Sequence, residues 1–153
     1  LVEPGNVRVA GGRMPEAAAD FARALNLDPN YGPALRGSGI CKFQSGNPAG
    51  AVTDLEKAAA VEPDFARNFM FLGLANMALD RKEQASSAFQ RALSLDPKGS
   101  ARAHVHLANM YIKDNQPAQA ISQIEAYLAA VPAAPDRDRL TAIVSQLKAS
   151  VRD

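Results

Sequence analysis

Small and large apolar residues recur along the chain at spacings that fit one face of an α-helix. In four successive segments a small residue is followed four positions later by a large one, and three positions after that by another residue of the same stripe. Side chains spaced by four and three lie on one side of a helix. The four sets are Ala17, Phe21 and Ala24; Ala51, Leu55 and Ala58; Ala85, Phe89 and Ala92; and Ala120, Ile124 and Tyr127. The pattern predicts four amphipathic helices.

Each predicted helix is followed by a proline at a nearly constant interval. The four pairs are Asp28-Pro29, Glu62-Pro63, Asp96-Pro97 and Val131-Pro132. Successive prolines are 34, 34 and 35 residues apart. Because proline cannot continue a helix, each one marks a helix end. A fixed period of this length is typical of repeat architectures.

A second helix is predicted in each repeat, before the first stripe. Small residues share its register and lie four positions after a bulkier residue: Leu1 and Gly5, Leu35 and Gly39, Phe69 and Gly73, His104 and Ala108. A small side chain lets two helices approach closely. The turn signals Gly46-Asn47-Pro48 and Asn115-Gln116-Pro117 separate the two helices of a repeat, since Asn can cap a helix and Pro can open one. The repeating unit is therefore a helical hairpin.

These residues resemble the tetratricopeptide repeat family, whose units are 34-residue hairpins closed by proline. Repeat three is the best match, with Phe69, Leu72, Gly73, Ala85, Phe89, Ala92 and Pro97 in register. The resemblance implies an all-α, right-handed solenoid of stacked hairpins. We expect repeats at residues 1–31, 32–65, 66–99 and 100–134. A capping helix is expected over residues 135–153, because a stack leaves its last apolar face open. Its apolar face is Leu140, Ile143, Val144, Leu147 and Val151.

Repeats one and two depart from the family pattern. Pro4 and Arg8 stand where Leu and Tyr are usual in repeat one, so its first helix is expected to be short or frayed. In repeat two, Ser38 and Lys42 stand at those positions. Gly37 and Gly39 lie on either side of Ser38, and each glycine costs about 1 kcal/mol relative to Ala inside a helix. We therefore expect the first helix of repeat two to be the softest internal one.

The resemblance also implies that the first helices line a concave face on which a partner binds. The candidate groove residues are Arg36, Ile40, Phe43, Gln44, Arg67, Met70, Leu74, Met77, Arg102, Val105, Asn109, Ile112 and Lys113. Their apolar members suit the apolar side of a helix or extended peptide. The alternative is that these apolar residues pack against neighbouring repeats and leave no groove. The arginines are candidates for pairing with acidic groups, with plain solvation as the alternative.

One subfamily binds acidic chaperone tails through a clamp of cationic and amide side chains. Here Val2, Gly37 and Phe71 stand at clamp positions, although Asn6 matches one member. Binding of chaperone tails is therefore not predicted.

Charge and composition narrow the function classes further. Seventeen basic and sixteen acidic residues give a formal net charge of +1, which offers little attraction to nucleic acid. No apolar stretch reaches the length of about 18 residues needed to cross a bilayer, so membrane insertion is not predicted. One cysteine and two histidines, His104 and His106, make a zinc site improbable, and no phosphate-binding loop or catalytic motif is present. We predict neither an enzyme nor a cofactor.

The leading hypothesis is a non-catalytic scaffold that binds a peptide or helix of another protein. Two alternatives stay open: a self-association module that forms a homo-oligomer, and an accessory domain of a larger enzyme or of a secretion or assembly component. Cys41 cannot form an internal disulfide, which slightly favours a reducing, cytoplasmic setting over an extracytoplasmic one.

Overall fold

A computed structural model describes residues 13–152, and its elements are all helices. In this range there are eight helices and no strand. They are α1 (Met14–Leu27), α2 (Gly32–Gln44), α3 (Pro48–Val61), α4 (Ala66–Ala78), α5 (Lys82–Leu95), α6 (Arg102–Lys113), α7 (Pro117–Ala130) and α8 (Arg137–Arg152). The predicted first helix of repeat one, with Leu1, Pro4, Gly5 and Arg8, lies outside the described residues, as do Val2 and Asn6. The all-α prediction is confirmed.

The chain divides into two compact units. The first ends at Arg91 and the second begins at Ala92, within α5. The first unit holds α1 to α4 and most of α5, and the second holds α6 to α8.

Proline, asparagine and left-handed residues set the ends of the helices. Proline occupies the first turn of α1, α2, α3 and α7, where a missing N–H costs no helical hydrogen bond. The Asn47 side chain accepts a hydrogen bond of 2.9 Å from the Gly50 N–H and caps α3. Gly46, Asp80 and Asn115 have positive φ values of 88°, 58° and 56°. These three residues occupy the same place in successive hairpins, and they close the turn between the two helices.

The large residue of each predicted stripe is the centre of a hairpin core. Phe21, Leu55 and Phe89 are 0% exposed and Ile124 is 1% exposed, which confirms the predicted register. In the first unit, one apolar cluster joins Ala17, Phe21 and Ala24 to α2, and another joins α3 to Ala75 of α4.

Glycines bring the helices of a hairpin together. A Cβ added to Gly39 would lie 2.7 Å from Leu55 Cγ, and one added to Gly73 would lie 2.6 Å from Phe89 Cε1. Gly37 faces the preceding hairpin, since a Cβ there would lie 2.2 Å from Phe21 Cζ. Gly37 and Gly39 lower the helix propensity of α2, and they are also the positions at which Phe21 and Leu55 pack closely against it.

In the second unit, α8 packs on the hairpin formed by α6 and α7. Leu140 and Val144 are buried in one cluster with Ile124 and Tyr127, and Ile143 and Leu147 pack against that cluster. Val151 was predicted on the same face, but it is 52% exposed because it lies in the last turn of α8. The apolar contact of this helix therefore ends at Leu147.

Candidate functional site

The first helices of the first unit carry a connected group of partly buried apolar side chains. The rings of Phe43 on α2 and Phe71 on α4 meet edge to face, with centroids 6.3 Å apart and an interplanar angle of 75°. The guanidinium carbon of Arg67 lies 5.6 Å from the centre of the Phe71 ring. Two predicted groove residues, Phe43 and Arg67, are thus brought together through a third residue that the sequence analysis did not select.

Three more predicted residues extend this group along α4. Met70, Leu74 and Met77 are all partly exposed. Spacings of three and four residues place them on the same stripe of the helix as Arg67 and Phe71. We call this surface the first-helix face. It consists of Phe43, Arg67, Met70, Phe71, Leu74 and Met77.

Other predicted groove residues have different surroundings. Ile40 and Val105 are each 5% exposed, so their side chains lie in the interior and offer almost no area to a partner. At these two positions the structure corrects the sequence analysis, and the packing alternative applies to them.

Arg36 is held within the first unit by an ion pair with Glu62, and its guanidinium carbon lies 4.0 Å from the centre of the Phe65 ring. Gln44, at the end of α2, is exposed.

Arg102 in the second unit is engaged in a polar network. Its Nη1 donates hydrogen bonds of 2.8 Å to Asp136 Oδ2 and 3.2 Å to the Tyr127 hydroxyl oxygen. The hydrogen bond from Arg102 lowers the pKa of Asp136 and raises that of Arg102. The network joins the start of α6 to the turn before α8, so this arginine has a structural partner.

The remaining candidates of the second unit lie on the surface. Asn109, Ile112 and Lys113 are exposed on the C-terminal half of α6. Ile112 is one of the large apolar side chains of the chain that remain open to solvent. These three residues supply separate polar and apolar groups on the surface of α6.

A buried carboxylate in the hairpin of α2 and α3 was missed by the sequence analysis. Asp54 Oδ2 accepts a hydrogen bond of 2.7 Å from Ser38 Oγ and forms an ion pair of 2.8 Å with Lys42 Nζ. The residue is 8% exposed, so it depends on these two partners. Ser38 and Lys42, the two departures from the repeat pattern, therefore belong to one cluster with Asp54. The same register holds Asp20 in repeat one, which is 3% exposed, so an acid recurring on the buried side of the second helix was the available signal.

The residues considered for chemistry lie apart and in packed surroundings. Cys41 is buried, and burial raises the pKa of its thiol. Burial lowers the pKa of His106, and the charge of Arg102 lowers it further. His104 Nδ1 lies 2.7 Å from Gln123 Oε1. Across residues 13–152, no group of three or more His, Cys, Asp or Glu side chains is placed to hold a metal ion. Within the same range, no helix combines the length and apolar character required to span a bilayer.

Periodic hairpins, small residues at helix contacts and a closing proline define a helical-repeat protein. The sequence description of the tetratricopeptide repeat matches this chain twice, at residues 37–100 and 72–135. The chain belongs to the tetratricopeptide repeat family.

Relatives and solved structures agree with this assignment. The Hsp70-Hsp90 organizing protein of Triticum aestivum is 30% identical over 93 residues, which are 61% of this chain and 16% of that protein. The crystal structure of MamA superimposes with a TM-score of 0.81 at 25% identity, covering 94% of this chain and 76% of MamA. YrrB, described as a tetratricopeptide repeat protein with an unusual peptide-binding site, superimposes with a TM-score of 0.80 at 20% identity, covering 99% and 76%. The chain thus spans about a sixth of the length of its wheat relative.

Proposed function

We propose that this chain is a non-catalytic interaction module that binds a peptide or helix of a partner protein on the first-helix face. The observation that carries the proposal is the partial exposure of Phe43, Met70, Leu74 and Met77. Phe43 and Phe71 also pack in part against the buried cluster of α3 and Ala75, so a ligand would contact only their remaining exposed area. Apolar side chains that stay partly exposed are suited to the apolar side of an amphipathic segment.

The residue types on this face favour an adaptable contact. Methionine is flexible and polarizable, so Met70 and Met77 can fit ligands of different shape. The Phe43 and Phe71 rings add a larger and more rigid surface. Arg67 lies over the Phe71 ring and is exposed, which allows it to pair with an acidic group of the ligand.

The size of the surface sets the expected affinity. Burial of about 400 Å² of apolar area contributes roughly 10 kcal/mol at about 25 cal/mol per Å². Association costs of about 4 to 15 kcal/mol oppose this gain. We therefore expect binding to be weak to micromolar.

The test compares two double variants as baits in affinity capture from source-cell extract. Met70→Gln with Met77→Gln replaces two apolar side chains of the first-helix face with polar ones of similar length. Leu27→Gln with Val61→Gln is the matched control, since both residues are exposed and end the second helices of their hairpins. Circular dichroism verifies that each variant is helical. We expect a protein that binds the wild type and the control but not the first variant, and we expect one of its peptides to bind in isolation.

Other outcomes separate the alternatives. Equal capture by all three baits would remove the first-helix face as the binding surface. Mass that rises with concentration in sedimentation, and is lost with Met70→Gln and Met77→Gln, would instead identify self-association through this face.

A further inference from the structure

A cleft of about 600 Å³ lies on the other side of α4 from the first-helix face. Its floor is formed by Phe69 and Leu72 of α4, and its walls by Glu56 of α3 and by Glu83 and Ala88 of α5. On a helical projection, Phe69 and Leu72 point away from Met70 and Leu74. The cleft is therefore a surface distinct from the one proposed above, and we call it the acidic cleft.

The two glutamates give the acidic cleft its charge. Glu56 and Glu83 are both exposed, and neither carboxylate forms an ion pair with any other residue in the range 13–152. Arg91 also lines the cleft: its guanidinium carbon lies 5.7 Å from the centre of the Phe69 ring, and its head group reaches the turn between α3 and α4. Its Nη2 lies 3.7 Å from Asp64 Oδ1 and 3.4 Å from the Pro63 carbonyl oxygen. The positive charge of Arg91 is thus shared with Asp64, and the two glutamates remain without a partner.

The equivalent cleft of the preceding repeat has a different chemistry. It lies between α1 and α3 above α2, has a volume of about 530 Å³, and is lined in part by Ala22, Ser38, Lys42 and Asp54. A shift of 34 residues places Ala22 at the position of Glu56 and Ala49 at that of Glu83. The one carboxylate in this cleft, Asp54, is already paired with Lys42. A pair of unpartnered acids is therefore a property of the acidic cleft and not of the repeat.

We propose that the acidic cleft binds a basic segment of another protein, in which one or two apolar side chains lie between Lys or Arg residues. The apolar side chains would contact Leu72 and the area of the partly exposed Phe69 ring that Arg91 leaves open. The flanking cations would pair with Glu56 on one wall and Glu83 on the other. Charge complementarity of this kind selects basic ligands over acidic ones and raises the rate of association. A cleft of this volume lies in the range of small ligand sites.

The test measures binding of a labelled synthetic peptide, KKLFKK, by fluorescence anisotropy. Glu56→Ala with Glu83→Ala gives the acidic cleft the residues of its counterpart. Glu125→Ala with Asp138→Ala is the control that removes the same charge from exposed positions of the second unit. We expect at least a tenfold weaker affinity for the cleft variant and no loss for the control. The affinity of the wild type should also fall as NaCl rises from about 50 to about 300 mM, because salt screens exposed charges.

Several results would overturn the proposal. They are saturable binding that is equal in the wild type and the cleft variant, equal binding of the peptide EELFEE, and the absence of saturable binding by the wild type up to about 1 mM peptide. Self-association that disappears in the cleft variant would also overturn it, because the occupant would then be a second copy of this chain.

The Met70→Gln and Met77→Gln variant separates the two surfaces. It should bind KKLFKK as the wild type does, since its substitutions lie on the opposite side of α4. Loss of the peptide in this variant, with retention by the cleft variant, would place the peptide on the first-helix face and overturn the assignment to the acidic cleft.

Discussion

The hairpins α2–α3 and α4–α5 share a backbone plan, and among the equivalent positions at which they differ three lie together between the helices. The first has Ser38, Lys42 and Asp54, and Asp54 is bonded to the other two. The second has Leu72, Asn76 and Ala88, where the Asn76 side chain donates to the Leu72 carbonyl oxygen of its own helix. Both sets fill the same place between a first helix and the second helices beside it.

The difference shows that departures from a repeat pattern depend on one another. A buried carboxylate without donors is costly, whereas a fully bonded one is tolerated. Ser38 or Lys42 alone would look like a defect in the apolar pattern. Together with Asp54 they form one polar unit, which stands where the other hairpin has Leu72, Asn76 and Ala88. This interpretation can be tested by introducing the members of the polar unit into the α4–α5 hairpin.

The largest effect is expected when an aspartate equivalent to Asp54 is introduced alone into the α4–α5 hairpin. Ala88→Asp places a charge at a position that is 5% exposed in the native chain, and the nearby cation, Arg91, is already engaged with Asp64 and the Phe69 ring. We expect a loss of about 3 kcal/mol in the free energy of unfolding, measured in urea, because a buried acid without its hydroxyl and amine donors is costly even where Arg91 turns towards it. Adding Leu72→Ser and Asn76→Lys should recover most of this loss.

The control for this transfer is Ser87→Asp, an acidic substitution at the exposed neighbour on the same helix. It should change the free energy of unfolding by less than about 0.5 kcal/mol. A triple variant that is as unstable as Ala88→Asp would mean that the polar unit depends on more than its three members.

A smaller loss is expected at Gly37, which stands in the same register as Phe71 of the other hairpin. Gly37→Ala would improve helix propensity by about 1 kcal/mol. Its new Cβ would however lie 2.2 Å from Phe21 Cζ, so the ring or the helix has to move. We expect a net destabilisation of about 1–3 kcal/mol in urea denaturation. Phe21→Leu, which is destabilising alone, should cost less in the Gly37→Ala background, and purely additive losses would argue against this contact.

The smallest effect concerns Asp136, a carboxylate that is also bonded to a cation but lies in a turn. Arg102 lowers its pKa in the folded state, so the ionised form stabilises the fold above the unfolded pKa of about 3.9. This contribution is lost as the pH falls through the lowered folded pKa. Asp136→Asn should therefore lower the melting temperature near neutral pH. The difference from the wild type should shrink as the pH falls below about 4. A difference that stays constant down to pH of about 2 would exclude ionisation as its cause.

The fold was predictable because the signals that define it are local. Proline positions and the spacing of Phe21, Leu55, Phe89 and Ile124 depend only on helical geometry, and their predicted register is confirmed. The bond from Ser38 to Asp54 joins residues 16 apart on two helices. Whether this bond forms depends on the angle and offset at which α2 packs on α3. The spacing of apolar residues along a single helix gives no information on that packing.

The candidate site was predicted less completely, for the same reason. The position of a residue on one face of a helix does not show how much of the surrounding helix surface is buried by neighbouring helices. Ile40 was therefore selected although it is buried, while its counterpart Leu74 is partly exposed. Phe71 was omitted although it follows Arg67 by four residues, a spacing that places the two side chains together.

The left-handed turn residues Gly46, Asp80 and Asn115 have a consequence for how such a gene can change length. Within each hairpin the small residue of the first helix and the large residue of the second are 16 positions apart, as in Gly39 and Leu55, Gly73 and Phe89, and Ala108 and Ile124. Between hairpins this separation varies: 18 from Leu55 to Gly73, and 19 from Phe89 to Ala108. Recombination that joins whole hairpins at their proline-containing links therefore leaves every turn intact. Insertions or deletions of single codons should be tolerated at these links and removed by selection inside the hairpins.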